Sequence, residues 1–440
     1  MISRMDPKSH DVIVDELDFT SMPGTQSSVQ NTRWSVVNLK NAFQPDGPWE
    51  FILTNNSRSY LNLKRTYLIF TFDITDTDGN VVTIPARETG KELIYGPINN
   101  IAHSIVKNFT LHLNSQLVYH NSDNYAYKAY MENLLMHSKD IKDSTLSAAG
   151  FFHEEDVGSE KCDGFVKRCG TGTTQVAANI SIDLMNQPRV LLNGCNVKLT
   201  VYPNKSEFLI QGYNLGTKKL KFNVRDVYAL VNEFDLTDGL SNAIESAVLE
   251  HKQIQYPMIC SQVRSFYIDS NRYDAPANTL FTTKLPRRLF LGLVSSDAYN
   301  GTFGTSPFCF KPYGLSNAYI DVCGMSIPGR PMNLDFKKNK FIEAYVLLHE
   351  ALGHSRNNFS SCAIDRQMFA EKGYTILGFE LSAVATDNSL FDLIKQTNVS
   401  VRLEFSDLVP SGGLYCIVYA EFDGLLSMDP LRNPQIDMSV

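Results

Sequence analysis

The stretch His349-Glu350-Ala351-Leu352-Gly353-His354 comes nearest to a catalytic signature in this chain. Two histidines on one helix make a zinc protease when they stand four apart, about 400° round the axis and so on one face, with a glutamate between them as general base. Here they stand five apart. That is about 500°, which turns the second ring about 140° from the first. Gly353 is also expected to end the helix before His354. The expectation is a helix end with ordinary polar residues.

Other candidates are weaker. The nine histidines contain no His-x-His pair, so the strand-borne metal site of cupin-type enzymes is not expected. Cys169-Gly170-Thr171-Gly172-Thr173-Thr174 looks like a phosphate loop but lacks its lysine and a following helix pattern. There is no Gly-x-Ser-x-Gly elbow. The eight cysteines (162, 169, 195, 260, 309, 323, 362, 416) are scattered without a CxxC, and are expected to be buried free thiols rather than zinc ligands or a disulfide framework. No catalytic, cofactor-binding or metal-ligating residue is nominated.

Composition bounds the frame that holds these residues. A chain of 440 residues is long for one domain, and 43% hydrophobic with 20% charged residues is globular. The net charge of −7 gives the chain as a whole no electrostatic reason to seek nucleic acid or an anionic membrane. Residues 1–40 carry Arg4, Lys8, Arg33 and Lys40 against Asp6, Asp11, Asp15, Glu16 and Asp18, so a basic genome-binding arm is not expected. The N-terminus does not read as a signal peptide, and no apolar window is long enough for a membrane span. With 26 Phe and 20 Tyr against 2 Trp, and plentiful Thr and Val, the composition favours strands.

Periodicity agrees. Leu68, Phe70, Phe72 and Ile74 alternate with polar residues, and Asp78-Gly79 turns the chain toward Val81–Ile84, a hairpin pattern. Phe109, Leu111 and Leu113 alternate likewise, and the run restarts at Leu117. Tyr127, Tyr130, Met131 and Leu134 predict a helix, as do Phe341, Ala344, Tyr345 and Leu348; shorter helices are expected at 238–251 and 388–395.

Internal repetition organises these elements. Phe109–Asn114 followed by the first helix is echoed by Ala318–Cys323 followed by the second. The pairs Ala129-Tyr130 and Ala344-Tyr345 lie about 215 residues apart. Asn196–Val201 is echoed by Asn398–Leu403, about 202 residues on, and each copy precedes another strand pattern, near 218–226 and 414–421. A duplicated, strand-rich unit of this size predicts an all-β chain of two tandem jelly-roll β-sandwiches with a few short helices in the loops. The expected division is an N-terminal arm at 1–45, a first jelly roll at 46–235, a second at 236–428 and a tail at 429–440.

Particular residues go further. Leu285-Pro286-Arg287-Arg288 leading an apolar strand to Val294, then Ala298-Tyr299-Asn300-Gly301 and Ser306-Pro307-Phe308-Cys309-Phe310, resemble the second-domain signature of Polinton/Maverick (adintovirus-like) major capsid proteins. Gly324 with Pro328, Glu343-Ala344-Tyr345, Gly373-Tyr374, Tyr202-Pro203 and Tyr419-Ala420-Glu421-Phe422 are similar too, so the resemblance runs from about 50 to 425. Ser306 and Cys309 depart from the asparagines common there. The resemblance implies the double jelly roll shared more distantly with virophage and adenovirus-lineage capsid proteins. It also implies a non-enzymatic subunit of the virion: a homotrimer that imitates a hexamer, meets neighbouring capsomers in an icosahedral shell and leaves the vertices to a single jelly-roll penton protein. The shell would enclose double-stranded DNA without a basic binding arm, and no cofactor is implied. A tandem β-sandwich lectin and a jelly-roll hydrolase are the alternatives.

Overall fold

A computed structural model describes residues 15–437, except 55–58, 81–93, 121–122, 170–171, 216–218, 252, 355–360, 384–389 and 394. The first half of the chain supplies β1 (Val29–Val37), β2 (Trp49–Thr54), β3 (Ser59–Asp76), β4 (Ile94–Pro97), β5 (Val106–Leu113), β6 (Gln116–His120), β7 (Thr174–Asn179), β8 (Asn196–Pro203), β9 (Ile210–Tyr213) and β10 (Leu220–Leu236). They order as β1-β10-β3-β7 and β2-β8-β5-β6, with β4 and β9 paired apart. The second half supplies β11 (Ile254–Ile268), β12 (Asp274–Phe281), β13 (Arg288–Ser295), β14 (Leu315–Val322), β15 (Met325–Ile327), β16 (Ile376–Glu380), β17 (Val399–Phe405), β18 (Leu414–Met428) and β19 (Pro434–Asp437). Their orders are β11-β18-β13-β16 and β12-β17-β14-β15. Leaving out β4, β9 and β19, the two halves correspond strand for strand. Each is an antiparallel jelly roll, and the chain is a double jelly roll.

Alternation builds each roll. In β17, Val399, Val401, Leu403 and Phe405 are buried while Ser400, Arg402 and Glu404 are partly exposed, so one face feeds the core. Its counterpart β8 does the same through Val197, Leu199 and Val201; these are the echoed segments of the sequence. The facing sheets meet through aromatic rings, Trp49 against Phe70 at 5.9 Å in the first roll and Phe281 against Phe422 at 5.2 Å in the second. In contrast, β13 is buried along almost its whole length on both faces. Sheets read this way when something covers their outer side.

The helices at Tyr125–Met136, Asp238–His251 and Ile342–Ala351 lie where periodicity placed them, and β5 and β6 form the expected hairpin. The helix expected at 388–395 does not form: the described residues there are irregular. Other partners hold that backbone, since Asp392 N–H donates to Asp423, Leu393 N–H donates to the Asp392 side chain, and the Lys395 carbonyl accepts from Leu285. The return strand expected at Val81–Ile84 lies outside the described residues. Val29–Val37, in the stretch read as an arm, runs along β10 as β1. In the stretch read as a tail, β19 pairs with β18.

The helix at Ile342–Ala351 needs a glycine beneath it. A Cβ on Gly378 in β16 would stand 2.9 Å from the Leu348 Cα and 3.2 Å from the Ala351 Cβ. Backbone cannot yield as a side-chain tip can. Gly378→Val is therefore expected to cost about 1–3 kcal/mol, read as a lower urea midpoint, and an unchanged midpoint would contradict this packing.

Candidate functional site

The most heavily constrained region is the junction of the two rolls. Ten residues of the Tyr125–Met136 helix are buried, on every side rather than along one stripe. A helix buried all round has two covers. Its first-roll neighbours include β5, and its second-roll neighbours are β11 and β18. Tyr130 stacks on Phe308 with centroids 4.0 Å apart, and Tyr127 stacks on Tyr299 at 5.7 Å. Tyr299 in turn stacks on Tyr415 at 3.9 Å.

A lysine lies in the middle of this apolar contact. Lys128 is fully buried. Its ammonium donates to the Ser181 carbonyl at 2.8 Å and pairs with Asp183 at 3.0 Å and Glu132 at 3.3 Å, three acceptors for its three protons. Burial alone would pull the ammonium down, but the two carboxylates push it well above its usual value. The carboxylates reach into the second roll: Ser261 Oγ is 3.0 Å from Asp183 and 2.9 Å from Glu132, and Tyr419 OH is 3.3 Å from Glu132. From there Tyr419 donates to Glu421, which pairs with Arg288 at 2.6 Å. Arg288 also donates to the Ala351 carbonyl and contacts Met136 Sδ. Nearby, burial drives His103 down to about 3, so its imidazole stays neutral beside Tyr125 OH.

Several residues that carried the sequence resemblance meet here. Arg288 and Glu421 are cross-strand partners in β13 and β18, Arg287 pairs with Asp423 at 2.9 Å, and Tyr299 and Phe308 supply the aromatic wall. Gly373-Tyr374 reaches the first roll as well, since Tyr374 OH donates to the Glu154 carbonyl. Periodicity had suggested only the apolar face of the helix. Lys128 and Glu132 were missed, although a Lys-x-x-x-Glu pair within that helix was the available signal.

The His349-to-His354 motif needs a correction. The helix does end at Ala351, and Gly353 takes φ +71°. Gly353 N–H then donates to the Glu350 carbonyl and His354 N–H to the His349 carbonyl, a Schellman turn. That turn folds the chain back, so the rings are not held apart: His349, His354 and Cys362 bring ligand atoms within 4.8 Å of one another. The thiols also differ in part from expectation, for Cys323 is exposed at the turn after β14. None of the eight forms a disulfide. Of the glycine-rich loop after Cys169, positions 170 and 171 lie outside the described residues. An open groove of about 440 Å³ beside β5 and β8 is lined by Lys107, Asp123, Tyr202 and others, with Lys107 paired to Asp123 at 2.8 Å. No helix among the described residues is long and apolar enough to cross a membrane.

No family model matches the chain. A curated protein of Caenorhabditis elegans, F54H12.2, is 71% identical over 419 residues, covering 95% of this chain and all of its own length. The chain belongs to the family of that nematode protein. Among solved structures, that of the Sputnik virophage superposes with a TM-score of 0.67 at 11% identity, covering 100% of this chain and 94% of the other. The capsid of the virus PBCV-1 gives 0.60 at 9% identity, with 95% and 99% covered. The mavirus major capsid protein gives 0.55 at 12% identity, with 100% and 96% covered. At these identities the likeness is one of fold, and that fold is the double jelly roll.

Removing the buried cation tests the junction. Lys128→Met leaves buried Asp183 and half-buried Glu132 without their cation, and is expected to lower unfolding stability by about 3–5 kcal/mol. Adding Asp183→Asn to it should restore part of the loss. A loss below about 1 kcal/mol in urea unfolding would contradict a paired, buried Lys128.

Proposed function

We propose that this chain is a major capsid protein of the Polinton/Maverick type, whose trimers form pseudo-hexameric capsomers and tile an icosahedral shell around double-stranded DNA. The observation that carries this reading is an asymmetry between equivalent faces. The helices Tyr125–Met136 and Ile342–Ala351 occupy the same place in the two rolls, between β6 and β7 and between β15 and β16. Their repeated Ala-Tyr pairs align Tyr127 with Ile342 and Met131 with Val346. Tyr127 and Met131 are buried, but Ile342 is 42% and Val346 47% exposed.

The receiving surface is duplicated in the same way. Within the chain, the first helix rests on β11. The counterpart of β11 is β1, an edge strand with Trp34 44% and Val36 59% exposed. One copy therefore leaves uncovered a helix face and a strand face whose counterparts cover each other inside the chain. Seating the second helix of one copy on β1 of the next repeats the internal junction between chains. Such a head-to-tail contact gives a ring when its rotation closes, and closure at three chains would bring six rolls to it.

The finer parts of the reading rest on other support. The resemblance in residues 285–310 and 419–422 supports the Polinton/Maverick assignment, and a 71% identical relative from an animal fits a capsid gene carried in an animal genome. The negative net charge supports a shell that encloses DNA without neutralising it. A separate single jelly-roll penton would close the vertices, the protein would reside in the virion, and its role would be structural rather than enzymatic. In the division we propose, rolls at 46–235 and 236–428 are joined by the helix after β10, the arm at 1–45 lends β1 to the first roll, and the tail at 429–440 lends β19 to the second.

Light scattering on the purified protein is expected to give roughly three times the 49.4 kDa chain mass. Ile342→Glu with Val346→Glu should reduce it to a single chain with an unchanged far-ultraviolet circular dichroism spectrum. A wild-type monomer at tens of micromolar, or a variant that assembles as well as wild type, would contradict the reading.

A further inference from the structure

We propose that His349, His354 and Cys362 form a binding site for one zinc ion. The three donors come from two places in the chain, the Schellman turn that ends the Ile342–Ala351 helix and the segment that leads into the helix Arg366–Glu371. All three ligand atoms fall within 4.8 Å of one another. Tetrahedral zinc with bonds of about 2.0–2.1 Å to nitrogen and about 2.3 Å to sulfur needs donor separations of about 3.3–3.6 Å. Side-chain adjustments of about 1 Å close the difference.

The donors are prepared for an ion rather than for each other. The His349 ring bonds to the Ile364 backbone, while its Nε2 is buried without a partner. An imidazole anchored to backbone through one nitrogen and offering the other is the usual arrangement of a metal ligand. His354 Nδ1 is likewise buried without a partner, and the Cys362 side chain is buried. Two orphaned imidazole nitrogens beside a thiol form a borderline-soft set that suits zinc better than magnesium or calcium.

The charges around the site permit a cation. Arg288, which faces His354, is matched by Glu421. Lys142 Nζ donates to the Leu134 and Cys362 carbonyls. Binding displaces the Cys362 thiol proton to solvent and forms a Zn–S bond, leaving a site charge of +1. A water would complete the tetrahedron.

The bound ion would clamp the end of the second helix to the Cys362 segment, where Lys142 of the first half also arrives. The helix geometry that excludes a protease motif is thus compatible with a metal site, because a turn rather than the helix supplies the second histidine.

Cobalt(II) titration of the reduced full-length protein tests the site independently of assembly. We expect one equivalent bound, with tetrahedral d–d absorption and a sulfur-to-cobalt charge-transfer band, and displacement of the cobalt by one equivalent of zinc. Cys362→Ser should abolish the charge-transfer band, and His354→Gln should weaken zinc binding at least tenfold with the circular dichroism spectrum unchanged. No stoichiometric binding to the folded, reduced wild type, or the same binding in both folded variants, would overturn the proposal.

Discussion

Everything in this chain depends on burying one helix between two sandwiches. A jelly roll satisfies its own backbone and packs its own core, so two in tandem need no fixed relation to each other. The Tyr125–Met136 helix creates that relation. It belongs to the first roll by connection and has its other cover in the second, through Tyr127, Tyr130 and Glu132. Lys128 adds the directional part by holding Asp183 and Glu132 in the first roll, where they meet Ser261 and Tyr419 of the second. Hydrogen bonds at fixed distances tolerate little sliding, whereas aromatic surfaces alone would accept many registers. A buried ion cluster of this kind contributes little net stability compared with apolar packing. We read its role as fixing how the rolls meet.

The same constraint gives the proposed assembly its logic. A duplicated fold whose halves meet through one particular pair of surfaces necessarily carries a second, unused pair. In this chain the unused pair is apolar and exposed: Ile342 and Val346 on one side, Trp34 and Val36 on the other. Exposed apolar residues are common singly. Here Ile342 and Val346 stand at the positions equivalent to buried Tyr127 and Met131, and Trp34 and Val36 lie on the strand equivalent to β11. The difference between β11, partly buried along its length, and β1, largely open, is then the difference between a strand that has its neighbour and one that awaits it.

Much of the fold was legible in the sequence because its signals are local. Alternation in β8 and β17, and the helix spacing at Tyr127 and Phe341, survive in single segments. The repeat of order and spacing then joined them into two halves. What was not legible depends on contacts between distant residues. Lys128 reads as a solvent-facing lysine until a second roll is laid over it. The backbone at Asp392 and Lys395 is held by Asp423 and Leu285, which no local pattern reveals. The His349 and His354 rings were separated by a sound helical argument that did not extend to the turn after the helix. In the candidate site, the family-like residues were visible as motifs, but that Arg288 and Glu421 face each other across two strands was not.

The central claim is that the junction inside the chain is repeated between chains. Electron microscopy of the purified protein tests it most directly. The account predicts class averages of a ring with six similar lobes and threefold symmetry, in which the contact between chains superposes on the contact within one. Single two-lobed particles, or oligomers that leave the face of Ile342 and Val346 in solvent, would contradict it.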